Sequence, residues 1–273
     1  MIEIAEAYVF AKLMTKELKG LTITDVKVLT TPHKFCWLSG EPDHYESILL
    51  GLSVLEVKSS AHYLRINLSD GHELSIAEDV NLEYKPKRLE TSKHQLQLSF
   101  NNDHVLEFKV KLYGFIPLGM PEFLYENFPY YRVAVDAISP TDPKFTYGYF
   151  INQTGLNENK GSVKAALATE QHIPGLGNGT LQDILFDAKI SPRRKVSTLT
   201  DIDKKTLYDS VINKIDEMMT FGGRDTVVNM FGEKGRYEVM MKNERELCPV
   251  CHTPLTKEAF MGGKVIYCSV CQK

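Results

Sequence analysis

Four of the five cysteines of this chain fall in its last 26 residues, as Cys248-x-x-Cys251 and, sixteen residues on, Cys268-x-x-Cys271. Thiolates bind zinc tetrahedrally at about 2.3 Å, and two such corners bring four sulfurs round one ion. The spacing lies within the range of four-cysteine zinc sites. Two disulfides or four free thiols are the alternatives, and a redox pair would need a thioredoxin-like context that is missing. One structural zinc per chain, held by Cys248, Cys251, Cys268 and Cys271, is therefore expected. The stretch between the corners, HTPLTKEAFMGGKVIY, turns at Gly262-Gly263 and reads as a β-hairpin. A ribbon of this size has almost no core, so the metal would supply its folding energy.

A second unusual stretch is HIPGLGNGTLQDILF, residues 172–186, where Pro174, Gly175, Gly177 and Gly179 crowd into six residues. A nucleotide cradle would need a preceding strand and the spacing G-x-G-x-x-G, and neither is present. From the residues alone it is a turn between two helices.

The elements that must position these groups change character along the chain. Residues 3–18 place Ile4, Ala7, Tyr8, Ala11, Met14 and Leu18 on one helical face, and Gly20 suits the stop. Short alternating runs follow (TITDVKVLT, SVLEVKSS, HYLRINLS, ELSIAE, HQLQLSF, VLEFKVKLY), bounded by turn residues, as in an antiparallel sandwich or barrel. Residues 120–150, rich in proline and aromatics, read as a connecting segment. From about residue 160 the period is helical: SVKAALATEQ, TLQDILFDAK and DIDKKTLYDSVINKIDEMM, the last with Thr200 or Asp201 as cap and Gly222-Gly223 as stop. The fold class expected is α+β in two domains: an N-terminal helix with an antiparallel β-sandwich over 1–135, a linker at 136–158, a helical domain over 159–243 and the cysteine ribbon over 244–273.

At 273 residues and 43% hydrophobic the chain can build two cores. No apolar run is long enough for a membrane span, and the start MIEIAEAYVF carries glutamates where a secretory signal carries lysines, so a cytoplasmic protein is expected. The net charge of −3 argues against a strongly basic binder. Residues 1–150 hold 15 basic against 20 acidic side chains, net −5, and residues 151–273 hold 17 against 15, net +2. That asymmetry points weakly to a polyanion partner for the second half, where Arg193-Arg194-Lys195 form a local cluster.

Taken together, IPGLGNGTLQDILFDAKISPRR, CPVC…YCSVCQK and the start MIEIAEA, a weaker match to MPELPEV, resemble the formamidopyrimidine-DNA glycosylase / endonuclease VIII family over essentially the whole chain. The resemblance implies that IPGLGNG is the turn of a helix–two-turn–helix, where glycines permit close backbone approach and helix-start amides can receive phosphate. It assigns Asn178 as the asparagine that grips DNA phosphate beside the lesion. It also implies a flipped base and attack on the sugar by an N-terminal amine. Ile2 stands at the nucleophile position, with Glu3 as the catalytic glutamate and Glu6 as the second. The same acids would equally suit the start of a helix.

The chain departs from the family pattern at several positions. The family's prolines are Ile2 and Ala5, its hairpin lysine falls on His62, and its ribbon arginine falls on Gly263, with Lys264 one step away as a stand-in. Tyr113 is the candidate for stacking in the vacated duplex; an aromatic in a strand is otherwise core. A bulky residue after Met1 disfavours removal of the methionine, and the expectation is that Met1 is retained. The implied function is a DNA glycosylase, with or without AP lyase activity, acting as a monomer near the nucleoid on duplex DNA carrying oxidised bases or abasic sites. A catalytically silent lesion-binding protein of the same fold is the alternative. A zinc-ribbon protein of RNA or transcription machinery is disfavoured by the β-rich first half.

Overall fold

The structure is a computed structural model that describes residues 1–87, 93–158 and 160–273. It separates into two compact units: Met1–Asp136 with Thr226–Gly235, and Ala137–Asp225 with Arg236–Lys273. Asn159, the expected start of the helical domain, lies outside the described residues.

In the first unit, α1 (Ile4–Leu18) buries Ala7, Phe10, Ala11, Met14 and Leu18 along one stripe. Ten strands are formed in the described chain. Eight belong to one sheet: β1 (Ile23–Val28), β2 (Cys36–Leu38), β3 (Val54–Ser60), β4 (Tyr63–Leu68), β5 (Glu73–Pro86), β6 (Leu96–Phe100), β7 (His104–Ile116) and β8 (Leu118–Gly119). The order β1-β6-β7-β5-β4-β3 is antiparallel throughout, β8 adds antiparallel to β5, and β2 alone runs parallel, beside β7. Every alternating run read from the sequence is a strand. Val57, Leu64, Ile66, Ile76, Leu98 and Phe108 close over the stripe of α1, so helix and sheet share one core. The returning segment 226–235 contributes Met230, whose carbonyl accepts from the Tyr84 amide at 2.8 Å.

The proline-rich stretch read as connection is more ordered than expected. It contains α3 (Pro121–Asn127), α4 (Pro129–Asp136) and α5 (Tyr147–Thr154), and an earlier helix, α2 (Pro42–Leu49), also starts on proline. Proline at the first helical position forfeits only an amide that has no partner there and presets φ.

In the second unit the expected helix over SVKAALATEQ is instead a π-helical turn at Ala165–Thr169. Then come α6 (Asn178–Asp187) and α7 (Asp201–Thr220). Thr200 caps α7, its hydroxyl accepting from the Asp203 amide at 3.1 Å. The hairpin of β9 (Thr256–Phe260) and β10 (Gly263–Tyr267) ends the chain and packs through Ile266 with Phe186, Met241 and Leu255.

Candidate functional site

Two groups of the sequence-expected residues assemble, one in each unit. In the first, Glu3 is the N-cap of α1 and its amide donates to Glu6 Oε2 at 3.2 Å. Glu6 is fully buried and Glu3 nearly so. Glu6 thereby fixes the first turn and the direction in which Ile2 and Glu3 leave it. Ile2 is buried too, and its amide points at the Glu78 carbonyl oxygen, 3.4 Å away. The Met1 amine lies 3.1 Å from Asp79 Oδ1.

Glu78 and Asp79 were not singled out from sequence, yet they organise this region. The register of β5 against β7 slips between Glu78 and Val80, and Glu78 takes φ +75°, a left-handed conformation unusual for a side chain with a Cβ. The bulge turns Glu78 towards His62, whose Nε2 lies 3.3 Å from Glu78 Oε1. His62 follows Ala61 in the tight turn between β3 and β4, and its Nδ1 is buried without a hydrogen-bond partner. Burial, and then the charges of Glu78 and Asp79, push the Tyr113 hydroxyl above its ordinary range. Ile2, Glu3, Glu6, His62 and Tyr113 are thus drawn together around the bulge. An acidic pair inside an otherwise apolar alternation was the signal available for it.

In the second unit, Gly175 (φ +81°) turns the chain, Gly177 is the N-cap of α6, and Asn178 is the first residue of the helix. Gly263 opens β10 directly against the Asn178 side chain. A Cβ there would lie 2.2 Å from Asn178 Nδ2 and 3.6 Å from Lys164 Nζ. Lys164, another residue not singled out, is buried and donates to the carbonyls of Phe260 and, at 3.0 Å, Met261 in the hairpin. Desolvation draws its pKa below the usual lysine value. A start-of-helix asparagine, a buried lysine and an open glycine therefore meet at one place. Lys264 does not join them: it is exposed and bonds Asn243 Oδ1, because successive residues of a strand face opposite ways. The cluster at 193–195 is partly neutralised, Arg193 pairing with Glu258 at 3.0 Å and Arg194 with Asp203 at 2.7 Å.

Cys248, Cys251, Cys268 and Cys271 place their Sγ atoms within 4.8 Å of one another. Sulfurs tetrahedral about an ion at about 2.3 Å stand about 3.8 Å apart. The Cys251–Cys268 and Cys248–Cys271 separations of 3.4 and 3.8 Å fit that spacing and exceed a disulfide length. The amides of Val250 and Cys271 point at Cys248 Sγ and Cys268 Sγ, the donor arrangement a thiolate accepts. The Thr253 hydroxyl and amide hold Cys251 down at about 6, while Cys271, donating to its neighbours, is pushed up to about 12. The four form a cluster able to coordinate a metal ion.

No family model matches the chain. Its architecture, a helix on an antiparallel sheet and a helical unit ending in a four-cysteine hairpin, is that of the Lactococcus lactis Fpg protein solved with abasic-site DNA. That likeness has a TM-score of 0.84 at 21% identity over 99% of each chain. The MutM (Fpg) protein of Thermus thermophilus superposes at 0.82 with 20% identity, over 99% of this chain and 98% of that one. In sequence, the formamidopyrimidine-DNA glycosylase of Lactobacillus delbrueckii subsp. bulgaricus is 26% identical over 89% of this chain and 92% of its own length. That of Enterococcus faecalis is 24% identical over 100% and 98%. In sequence over most of its length and in fold over nearly all of it, the chain is similar to formamidopyrimidine-DNA glycosylases. Among the described residues no helix is long and apolar enough to cross a membrane.

Proposed function

We propose that this protein is a base-excision DNA glycosylase with AP lyase chemistry, acting as a single chain on duplex DNA that carries oxidised bases or abasic sites, in the cytoplasm beside the nucleoid. The observation that carries the reading is Asn178 at the start of α6, above a glycine turn and against the cysteine ribbon, where a side-chain amide and helix-start N–H groups can receive a phosphate. Relatives named for this activity and solved with abasic-site DNA support it.

In the assignment we favour, Asn178 and Lys164 hold the backbone, Tyr113 enters the vacated stack, and His62 takes the place of a lysine beside the sugar. Glu3 exchanges protons with the attacking N-terminal amine, and Glu6 positions Glu3 through its amide. Lys264 is left with a peripheral phosphate contact. The four cysteines would hold zinc, which braces the hairpin that presents Gly263 to Asn178.

One observation favours the second reading, a lesion-binding protein that does not cut. With Met1 in place, the nitrogen of Ile2 is an amide directed at Glu78, and the amine sits one residue earlier at Asp79. Incubation with an abasic-site duplex followed by borohydride decides between them. A covalent protein–DNA adduct is expected of the enzyme; tight binding without adduct would leave the binding protein.

A further inference from the structure

Strand β2 and the turn residue before it display two exposed aromatics. Phe35 and Trp37 are 45% and 49% exposed, their ring centroids 6.2 Å apart and tilted by 50°. Between and after them, Cys36 and Leu38 turn inward and pack on the core. Strand β2 is pinned to β7 through Cys36 opposite Gly114 and Trp37 opposite Phe115, and the Gly114 amide donates to the Phe35 carbonyl at 2.8 Å. This register sets Phe35 beside Tyr113, itself 36% exposed, so three aromatics stand on the outer face of two paired strands. Folding does not need them there, since the inward residues already close the core. Lys34 Nζ lies 5.3 Å from the Phe35 ring, and Lys111, two residues before Tyr113 and so on the same face, is exposed.

Exposed aromatic faces flanked by lysines suit unstacked bases followed by phosphates, and such stacking tolerates any base because every base has a π-face. We propose that Phe35, Trp37 and Tyr113 form a stacking platform for unpaired bases of a DNA strand. This adds to the lesion site a preference for damage in bubbles, gaps or single-stranded tracts. The strand's phosphates run along the Lys34 side, because Glu78 and Asp79 load the Tyr113 end with negative charge. The inference rests on the DNA-repair reading above, of which Tyr113 is the shared residue.

Trp37 is the only tryptophan in the chain, so its emission reports the platform directly. The experiment titrates the full-length protein with a ten-residue oligothymidylate, and separately with a fully paired abasic-site duplex. The oligothymidylate is expected to quench Trp37. Phe35→Ala should weaken its binding at least about fivefold, the scale of one lost stacking contact, with duplex binding retained, and Phe35→Tyr should restore it. Asn178→Ala should do the reverse, weakening the duplex and sparing the oligothymidylate. Unchanged emission at saturation, equal affinity in Phe35→Ala, or self-association through this face in sedimentation would each overturn the platform while leaving the lesion site standing. Absence of binding to either DNA would overturn both.

Discussion

Asn178 is the residue to which the proposed function gives the phosphate contact of the second unit. Its amide reaches the ribbon, its backbone starts α6, and its own carbonyl accepts from Gln182 Nε2 at 2.8 Å. Asn178→Ala is expected to weaken binding to an abasic-site duplex by about 1–3 kcal/mol, the cost of leaving a desolvated partner unsatisfied. The loss should be equal across lesions, since phosphate contacts position rather than specify; fluorescence anisotropy against three different lesions checks it. In the first unit, an amine held at Asp79 is displaced by up to about 3.6 Å from the position it would have on Ile2, and attack geometry tolerates little error. Protein that intact-mass measurement shows to keep Met1 should therefore give little borohydride adduct, and protein lacking it more. Strong trapping with Met1 attached would show the geometric argument to be wrong. Asn178 and the cysteines were legible because their motifs are local in sequence. Glu78 and Lys164 were not: strand register places Glu78 at the bulge of the first unit, and the packing of the hairpin places Lys164 beside Asn178 in the second.

Elements show the same division. Period-two alternation identified each long strand of the sheet, and the capped α7 was equally plain. Helices α2, α3 and α4 were missed because proline reads as a breaker until its position in the first turn is known. The π-helical turn at Ala165–Thr169 has a composition no different from an α-helix; the tertiary fit of Lys164 against the hairpin carbonyls accompanies it. The hairpin yields two tests. Gly263→Ala places a Cβ where the Asn178 amide now lies and must drive that amide away. It should reduce abasic-site binding about as much as Asn178→Ala while metal content stays at one ion per chain; unaltered binding would dissociate Gly263 from the site. Cys268→Ser removes a buried thiol from a hairpin whose own apolar cluster is small. Metal analysis of this variant should show zinc lost, and limited proteolysis should cut within residues 244–273 while the sheet of the first unit stays protected.

At the scale of the whole molecule the proposed function raises the question of how a chain of net charge −3 would hold a polyanion. Many of its cations are already engaged. Arg65 pairs with Glu73 at 2.7 Å, Lys109 with Glu83 at 2.7 Å and Glu107 at 3.0 Å, and Lys242 with Asp225 at 2.7 Å, besides the pairs of Arg193 and Arg194. The contacts argued for duplex DNA are largely of another kind: the Asn178 amide and helix-start N–H groups, with Lys164 and the peripheral Lys264 as the main charges. Each phosphate neutralised by a cation contributes a slope of about −0.9 to log K against log salt for duplex DNA. Binding of an abasic-site duplex should therefore weaken only gently with salt, with a slope of about −2 to −3 between 50 and 200 mM, in keeping with two or three ionic contacts. The test is a salt titration of anisotropy-measured affinity at constant pH. A slope steeper than about −5 would require basic residues now held in ion pairs to let go of their carboxylates and turn to the DNA, and the contact set argued from Asn178 would then be the lesser part of the interface.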